Sequence, residues 1–312
     1  MKARFFKCFG LLALLLFLVG CPAENRPEAT GKLAVSCGLP PISGVIKSIG
    51  ADAIEVHCLL PEGRSPHDYA PSPRDLRGAA KSQCYFSTGI NFEEQVASAL
   101  PKTVRYVRLG NRIRRLPEDG CQHDHHHHHN DAGDEADEDH HHEHDGEDGD
   151  PHIWLSCRNA AVLAEEVCAA LCEADPDHAE KYRRNLHEFS EQLRQLDDTL
   201  RRELAPYAGR TFMVYHPAFG YFAADYGLHQ QPVELSGREV SAAHLSEIIR
   251  KAKADGIKLI FVQKQFNPVT AATLAEAIGG RTQELDPLSE QLTDNLRGIG
   301  SALKEAWKSE DK

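Results

Sequence analysis

Four residues of this sequence, three histidines and one aspartate, have the side chains of metal ligands and similar local settings. His67 and His152 each follow a proline, while His216 and Asp286 each precede one. Proline fixes the backbone angle φ, so each of the four lies in a conformationally restricted segment. Three imidazole nitrogens and one carboxylate oxygen can fill a tetrahedral site around Zn²⁺. The same donors also suit Mn²⁺ or Fe²⁺, so the ligand types alone leave the metal open.

Three of these four positions come after a predicted β-strand. The predicted strand 53–60 ends shortly before His67, His216 ends a predicted strand, and Asp286 directly follows one. In open parallel sheets, ligands bind beyond the carboxyl ends of the strands. A single histidine after a strand is more often a surface or hydrogen-bonded residue. Four candidate ligands beside prolines, two in each half of the chain, favour a shared site.

Strands and helices alternate in both halves of the chain. The predicted strands, four in each half, are 33–37, 53–60, 84–87, 104–108, 211–216, 229–235, 257–263 and 281–285. Helical segments lie between them, and the last helix is predicted at 288–308. This alternation indicates parallel sheets built from β-α-β units. The expected fold class is therefore α/β, with two parallel-sheet lobes of the (βα)4 type.

A long helical stretch, 177–204, lies between the two halves. Its apolar residues recur every three or four positions and so fall on one helix face: Leu186, Phe189, Leu193, Leu196, Leu200 and Leu204. At 1.5 Å per residue such a helix is about 40 Å long. We therefore predict an N-terminal lobe at 32–175, a rigid linking helix at 176–205 and a C-terminal lobe at 206–312.

The segment 118–150 interrupts the alternation with an acidic, histidine-rich composition. It holds fourteen Asp or Glu and no Lys or Arg, so it accounts for the net charge of −12 and leaves the rest of the chain nearly neutral. The basic field that nucleic acid binding requires is therefore absent from the sequence. No apolar period runs through the segment, which predicts a mobile loop.

The histidines of this segment form a candidate secondary metal site of low affinity. Histidine-rich tracts are typical of metal binding, and the residues concerned are His123, His125, His126, His127, His128, His129, His140, His141, His142 and His144. The alternative is a solvated acidic spacer. Under either interpretation, deletion of residues 121–149 is expected to leave a separate tight site intact.

The first twenty residues predict export from the cytoplasm. Three basic side chains within residues 2–7 precede an apolar run at 8–20, which is too short to span a bilayer and is typical of a signal peptide. The run ends in Leu-Val-Gly followed by Cys21, which resembles the lipobox of bacterial lipoproteins. We expect a mature chain that begins at the lipidated Cys21, a tether over 21–31, and attachment by lipid to a membrane of the cell envelope. An ordinary signal peptide is the alternative.

Four segments resemble the ligand motifs of the zinc-uptake substrate-binding proteins of ABC importers, the cluster A-I family. They occur in the family's order and are GRSPHDYAPSPRDL (63–76), DPHIWLSCRNA (150–160), VYHPAFGYFAADYGL (214–228) and LDPLS (285–289). The long helix and the histidine-rich insertion are also similar to that family. The resemblance covers nearly the whole predicted mature chain.

The resemblance implies two lobes joined by a rigid helix, with a metal in the cleft between them. Its ligands would be His67, His152, His216 and Asp286, and the third of these favours zinc because manganese-type relatives usually carry Glu there. The implied function is high-affinity Zn²⁺ binding outside the cytoplasm and delivery to an ABC permease, by a monomer. Two features depart from the family. Residues 263–266 read QKQF where a sequence of the EPQF type is more usual, and every cysteine precedes residue 173, which removes a C-terminal disulfide that some relatives have.

Three alternative functions remain open at this stage. A manganese- or iron-type binding protein would use the same ligand types. A zinc buffer or an adhesin would bind metal without a transport role. A zinc hydrolase is the least favoured, because the H-x-x-E-H pattern at 140–144 lies in a low-complexity segment without helical periodicity. A closed site of four protein ligands also lacks the open position of catalytic zinc, so we do not expect an enzyme.

Overall fold

The computed structural model describes residues 31–117, 149–234, 241–266 and 268–310. The predicted signal peptide, the predicted lipidation site Cys21 and the ten histidines of the acidic segment lie outside the described residues. Within the described residues, no helix combines the length and the apolar character needed to cross a membrane.

The N-terminal lobe is built around a parallel sheet of four strands. Its strands are β1 (Leu33–Cys37), β2 (Ile54–Cys58), β3 (Cys84–Ser87) and β4 (Arg105–Arg108), in the order β2-β1-β3-β4. Its helices are α1 (Pro40–Gly50), α2 (Pro73–Ala79), α3 (Asn91–Ala99) and α4 (Cys157–Ala174). Ser72 caps α2 by accepting a hydrogen bond from the Asp75 N–H, as the Ser-Pro pair in the sequence indicates. The four strands predicted for this half are confirmed.

The C-terminal lobe repeats the same topology. Its elements are β5 (Thr211–Val214), α6 (Gly220–Asp225), β6 (His229–Pro232), α7 (Ala242–Ala254), β7 (Leu259–Gln263), α8 (Pro268–Ile278), β8 (Arg281–Leu285) and α9 (Leu292–Glu310). The strands are parallel in the order β6-β5-β7-β8. The fold class is α/β with two four-stranded parallel sheets, as predicted.

Several element boundaries in this lobe differ from the prediction. The strands predicted at 211–216 and 257–263 are shorter and span Thr211–Val214 and Leu259–Gln263. The strand predicted at 229–235 ends at Pro232, and the helix predicted to begin at 288 begins at Leu292. Asp286 Oδ1 accepts a hydrogen bond from the Leu288 N–H at 2.9 Å, which closes a turn and delays the helix. Residues 286–291 therefore form a loop that faces the cleft between the lobes.

Helix α5 (Ala179–Leu204) connects the two lobes and packs against both of them. It contacts α1 and α4 of the N-terminal lobe and α9 of the C-terminal lobe. Five residues of its predicted apolar face are buried, and Leu186 is partly buried against the same core. One apolar cluster extends from β1 through α5 to β5 and α9. Because the lobes share this core, Lys32–Lys312 forms one compact unit, and the lobe boundaries stay a prediction.

Buried polar contacts join the lobes beside the cleft. Trp154 Nε1 donates to the Pro287 carbonyl at 2.7 Å, and the Tyr221 hydroxyl donates to the Asp150 carbonyl at 2.9 Å. A buried hydrogen bond is expensive to leave unmade, so these contacts oppose a wide separation of the lobes. The shared core and the hydrogen bonds between the lobes therefore hold the two walls of the cleft, and the side chains on them, in fixed relative positions.

Candidate metal centre

Three imidazole rings meet in the cleft between the lobes. The Nε2 atom of His216 lies 3.1 Å from Nε2 of His67 and 3.3 Å from Nε2 of His152. The candidate ligand atoms of all three rings lie within 4.8 Å of one another, and no other group of this kind occurs among the residues described. Residues 149 positions apart in sequence, such as His67 and His216, are thus brought to one point.

The separation of these nitrogens matches the edge of a zinc coordination tetrahedron. Zn–N bonds of 2.0–2.1 Å at tetrahedral angles place two ligand nitrogens about 3.3 Å apart. The two Nε2 distances, 3.1 and 3.3 Å, agree with that value. Two edges of such a tetrahedron, from His216 to His67 and from His216 to His152, are therefore already present.

His67 belongs to the loop between β2 and α2. Its backbone N–H donates to the Ser65 hydroxyl at 3.2 Å, which fixes the turn around Pro66. Farther along the loop, the Tyr69 hydroxyl donates to the Leu59 carbonyl at 2.9 Å and so ties the loop to the end of β2. His67 is the exposed member of the three, whereas the other two are buried.

His152 is oriented by the carboxylate two residues before it. Asp150 Oδ1 accepts hydrogen bonds from the His152 backbone N–H at 2.9 Å and from its ring nitrogen Nδ1 at 2.8 Å. The ring proton therefore lies on Nδ1, and the lone pair of Nε2 faces the other imidazoles. Carboxylate partners of this kind fix ring orientation and raise the basicity of metal-binding histidines.

The register of the C-terminal sheet places Gln263 beside His216. Strands β5 and β7 pair Val214 with Phe261, and two residues beyond that pair come His216 and Gln263. The Gln263 side chain accepts from the His216 N–H at 3.2 Å and donates to the His216 carbonyl at 2.7 Å. This pair of bonds fixes the backbone that carries the imidazole.

The His216 ring itself is held between an aromatic ring and a carboxylate. Phe266 stacks on it with centroids 5.0 Å apart and an angle of 23° between the planes. Glu234 Oε1 lies 3.6 Å from Nδ1, which is too long for a direct hydrogen bond. The carboxylate still favours a proton on Nδ1, and this leaves the Nε2 lone pair for the centre.

The surroundings keep the imidazoles of His67 and His216 neutral. Although part of the His67 residue is exposed to solvent, its ring packs against the other two imidazoles. The resulting desolvation, together with the neighbouring His216 and His152, lowers the pKa of His67 to about 3. Burial also lowers the pKa of His216, partly opposed by Glu234. A metal needs the unprotonated ring, so a site with these lowered pKa values does not have to lose protons before it binds a cation near neutral pH.

The structure does not bring Asp286 into the group of three imidazoles. Asp286 follows β8, as predicted, but Oδ1 accepts from Gln265 Nε2 at 3.3 Å and from the Leu288 N–H at 2.9 Å. Oδ2 lies 3.6 Å from the ammonium group of Lys264. Its assignment as fourth ligand stays a prediction that requires the carboxylate to leave these partners.

The space between the imidazoles has room for one small ion. Its volume is about 10 Å³, and its lining residues are Pro66, His67, His152, His216, Gln265, Phe266, Pro287 and Leu288. Sites for organic ligands typically measure about 300–1,000 Å³. The cavity therefore fits a single cation with apolar walls around it, and it excludes an organic substrate from the imidazoles.

Sequence reasoning missed the residues that orient the imidazoles. Asp150 lies two residues before His152 in the same segment, and this spacing could have indicated that its carboxylate orients the ring. In the sequence Gln263 differs from the usual family pattern, but nothing local relates it to His216. Other histidines of the described residues, such as His57 and His187, lie outside the group.

The geometry agrees with a family of known proteins. The model of the family described as zinc-uptake complex component A, periplasmic, matches residues 35–298. The chain belongs to this family. It is a family of zinc-uptake components, not of enzymes, and its members are extracytoplasmic.

Individual members of the zinc-uptake component A family show the extent of the similarity. The chain is 32% identical to the zinc-binding lipoprotein AdcA of Streptococcus pneumoniae (strain ATCC BAA-255 / R6) over 302 residues, which cover 91% of this chain and 55% of AdcA. The chain thus spans about half the length of the AdcA relatives. It is 29% identical to the high-affinity zinc uptake system protein ZnuA of Bacillus subtilis (strain 168), over 95% of this chain and 93% of that protein.

Crystal structures of family members share the fold. The crystal structure of a ZnuA is similar with a TM-score of 0.76 and 28% identity, and covers 88% of this chain and 99% of that chain. A deletion mutant of ZnuA with zinc bound gives the same TM-score and identity, with 88% and 98% covered. The architecture of two lobes and a long helix is therefore that of the family.

Proposed function

We propose that this protein binds Zn²⁺ with high affinity outside the cytoplasm and delivers it to the permease of an ABC importer. The observation that supports this most directly is the convergence of His67, His152 and His216 from both lobes within 4.8 Å. A group of three imidazole nitrogens suits zinc better than it suits harder divalent cations, which prefer oxygen ligands. The printed names of AdcA and ZnuA, which describe zinc binding and zinc uptake, support the same metal.

The proposed capture mechanism uses imidazoles that are already oriented, two of which, His67 and His216, are kept neutral by burial. Asp150 directs the Nε2 lone pair of His152 toward the centre, and Gln263 fixes the backbone of His216. His67, on the exposed loop, is the ligand that an arriving ion meets first. Asp286 would complete the tetrahedron as the fourth ligand.

Transport requires that the permease distinguish the loaded protein from the empty one. A ligand shifts a conformational equilibrium only by its differential affinity for the two states. Because the lobes share one core through α5, we expect loading to change the loops that carry His67 and Asp286 and to leave the angle between the lobes nearly unchanged. The surface around these loops is then the part of the protein that reports metal occupancy.

The remaining parts of the proposal concern location and assembly. Lipidation at Cys21 would hold the protein at a membrane surface, next to its permease. The protein would act as a monomer. The histidine-rich segment would bind further Zn²⁺ weakly. The two ends of that segment meet beside the centre, since the Asp150 N–H donates to the Leu116 carbonyl at 2.7 Å.

Growth under zinc limitation tests the transport role separately from metal binding. A strain that lacks the gene should grow poorly in chelated medium, and the wild-type gene should restore growth while His67→Ala and His216→Ala should not. Manganese supplementation should not rescue the deletion strain, whereas zinc should. If the deletion strain imports zinc normally, the protein is better described as a zinc buffer or an adhesin.

A further inference from the structure

Lys264 and Asp286 are neighbours because of the strand register of the C-terminal sheet. Strands β7 and β8 run parallel, and their last pair joins Gln263 to Leu285. The next residues on the two strands are Lys264 and Asp286. The ammonium nitrogen lies 3.6 Å from Asp286 Oδ2, and the two side chains are 42% and 23% exposed. The pair is thus an ion pair at the rim of the cleft, open to exchange with solvent and ions.

The position of Asp286 relative to the imidazoles follows from the residues around it. Gln265 and Leu288, which both donate hydrogen bonds to Asp286 Oδ1, line the small cavity between the imidazoles. They also line a wider cleft of about 380 Å³, and Asp286 and Lys264 line that cleft as well. Asp286 therefore lies next to the centre, separated from it by its own hydrogen-bond donors.

We propose that Lys264 competes with the bound cation for the carboxylate of Asp286 and thereby limits the affinity of the centre. This inference rests on the proposed function. A carboxylate that turns toward Zn²⁺ gives up its ammonium partner, so the ion pair with Lys264 opposes capture and favours release. Glu284 Oε1 lies 3.7 Å from the same ammonium group, which gives Lys264 a second carboxylate once Asp286 has moved.

Removal of the ammonium group should therefore tighten binding. For Lys264→Gln we expect the zinc dissociation constant to fall about two- to fivefold, the range that partly exposed ion pairs support. Lys264→Arg, which keeps the charge, should not tighten binding. Affinity is measured by competition with a chromophoric zinc chelator on the full mature chain. Lys258→Gln is the matched control, because it removes the same charge from the other end of β7, where Lys258 is exposed.

A double-mutant cycle separates this account from a general charge effect. With Asp286→Asn as background, Lys264→Gln should change the zinc dissociation constant by less than about 1.5-fold, because Lys264 affects metal binding through its ion pair with the Asp286 carboxylate. Equal tightening with and without the Asp286 carboxylate, or equal tightening by Lys258→Gln, would overturn the proposal. A wild-type protein that binds no zinc would instead overturn the proposed function itself, and the two failures are therefore distinguishable.

Discussion

The Nε2 atoms of His152 and His216 lie 3.3 Å apart, although His152 precedes α4 in one lobe and His216 follows β5 in the other. Each ring has a carboxylate on its Nδ1 side, Asp150 at 2.8 Å and Glu234 at 3.6 Å. In neutral rings with Nδ1 protonated, two Nε2 lone pairs point at each other, an arrangement that a shared cation stabilises. The centre therefore depends on both lobes at once and on the groups behind each ring.

Asp150→Asn should weaken metal binding although Asp150 is not a ligand. An amide in place of the carboxylate keeps the size of the side chain. It lowers the basicity of the His152 ring and holds that ring less firmly in its orientation. We expect a loss of about tenfold in zinc affinity, the lower end of the range for such partners. Chelator competition measures it.

The matched control for this variant is Asp294→Asn. Asp294 lies on the exposed face of α9, where its carboxylate accepts a hydrogen bond from Arg297. This variant should bind zinc like the wild-type protein. Equal affinities of the Asp150 and Asp294 variants would show that the Asp150 carboxylate does not support the imidazole.

Gln263→Glu should destabilise the metal-free protein. Gln263 is almost fully buried, and its amide both accepts from and donates to the His216 backbone. A carboxylate cannot donate, so the buried His216 carbonyl loses its partner and faces a negative charge. We expect the free energy of unfolding to fall by about 1–3 kcal/mol. Urea denaturation measures it, with Gln95→Glu on the exposed face of α3 as control, and equal stabilities of the two variants would contradict this role.

The lowered pKa values of His67 and His216 predict how stability depends on pH. Below pH 6.5 these rings take up protons in the unfolded chain but not in the folded one, where the pKa of His67 is about 3. Their contribution to the free energy of unfolding is therefore complete above pH 6.5 and declines as the pH falls toward 3. His67→Asn should remove part of this decline, because asparagine does not titrate.

The pH experiment has to isolate His67 from other titrating groups. Burial raises the pKa of Glu93 to about 7, and this acts in the opposite direction because its contribution is lost as pH rises from about 4.5 to 7. The informative quantity is thus the difference between wild-type protein and His67→Asn, measured by denaturation with chelator present from pH 7.5 to 4.5. A difference that does not change with pH would contradict the lowered pKa of His67.

Deletion of residues 121–149 should leave zinc affinity at the centre unchanged. The hydrogen bond between the Asp150 N–H and the Leu116 carbonyl brings the two ends of the acidic segment together, so a short connection can replace it. Zinc stoichiometry should fall toward one ion per chain, while the tight dissociation constant stays the same within about twofold. A large loss of tight binding in competition titrations would mean that the segment contributes a ligand.

Most of the fold could be predicted because its patterns are local. The eight strands and the apolar face of α5 follow from short apolar runs and from a helical period, both of which are properties of consecutive residues. The start of α9 was predicted four residues too early. The turn that delays it depends on a side-chain hydrogen bond from Asp286, which competes with helix formation without changing the apolar pattern.

The candidate site was predictable in part for the same reason. His67, His152 and His216 stand in recognisable segments beside prolines, and the structure brings them together. The residues that support them depend on tertiary register. Gln263 reaches His216 only because β5 pairs with β7, and Lys264 reaches Asp286 only because β7 pairs with β8. Strand pairing of this kind is not encoded in any local pattern of the sequence.

The most direct test of the account is the zinc affinity and stoichiometry of the mature protein beside three single variants, His67→Ala, His152→Ala and His216→Ala. Removal of any one imidazole leaves two protein nitrogens, so each variant should lose tight binding by at least about a hundredfold, as expected for loss of one of three nitrogen ligands. His187→Ala, on the exposed face of α5, should bind like the wild-type protein. Tight binding that persists in all three variants would contradict a metal centre built from these three rings.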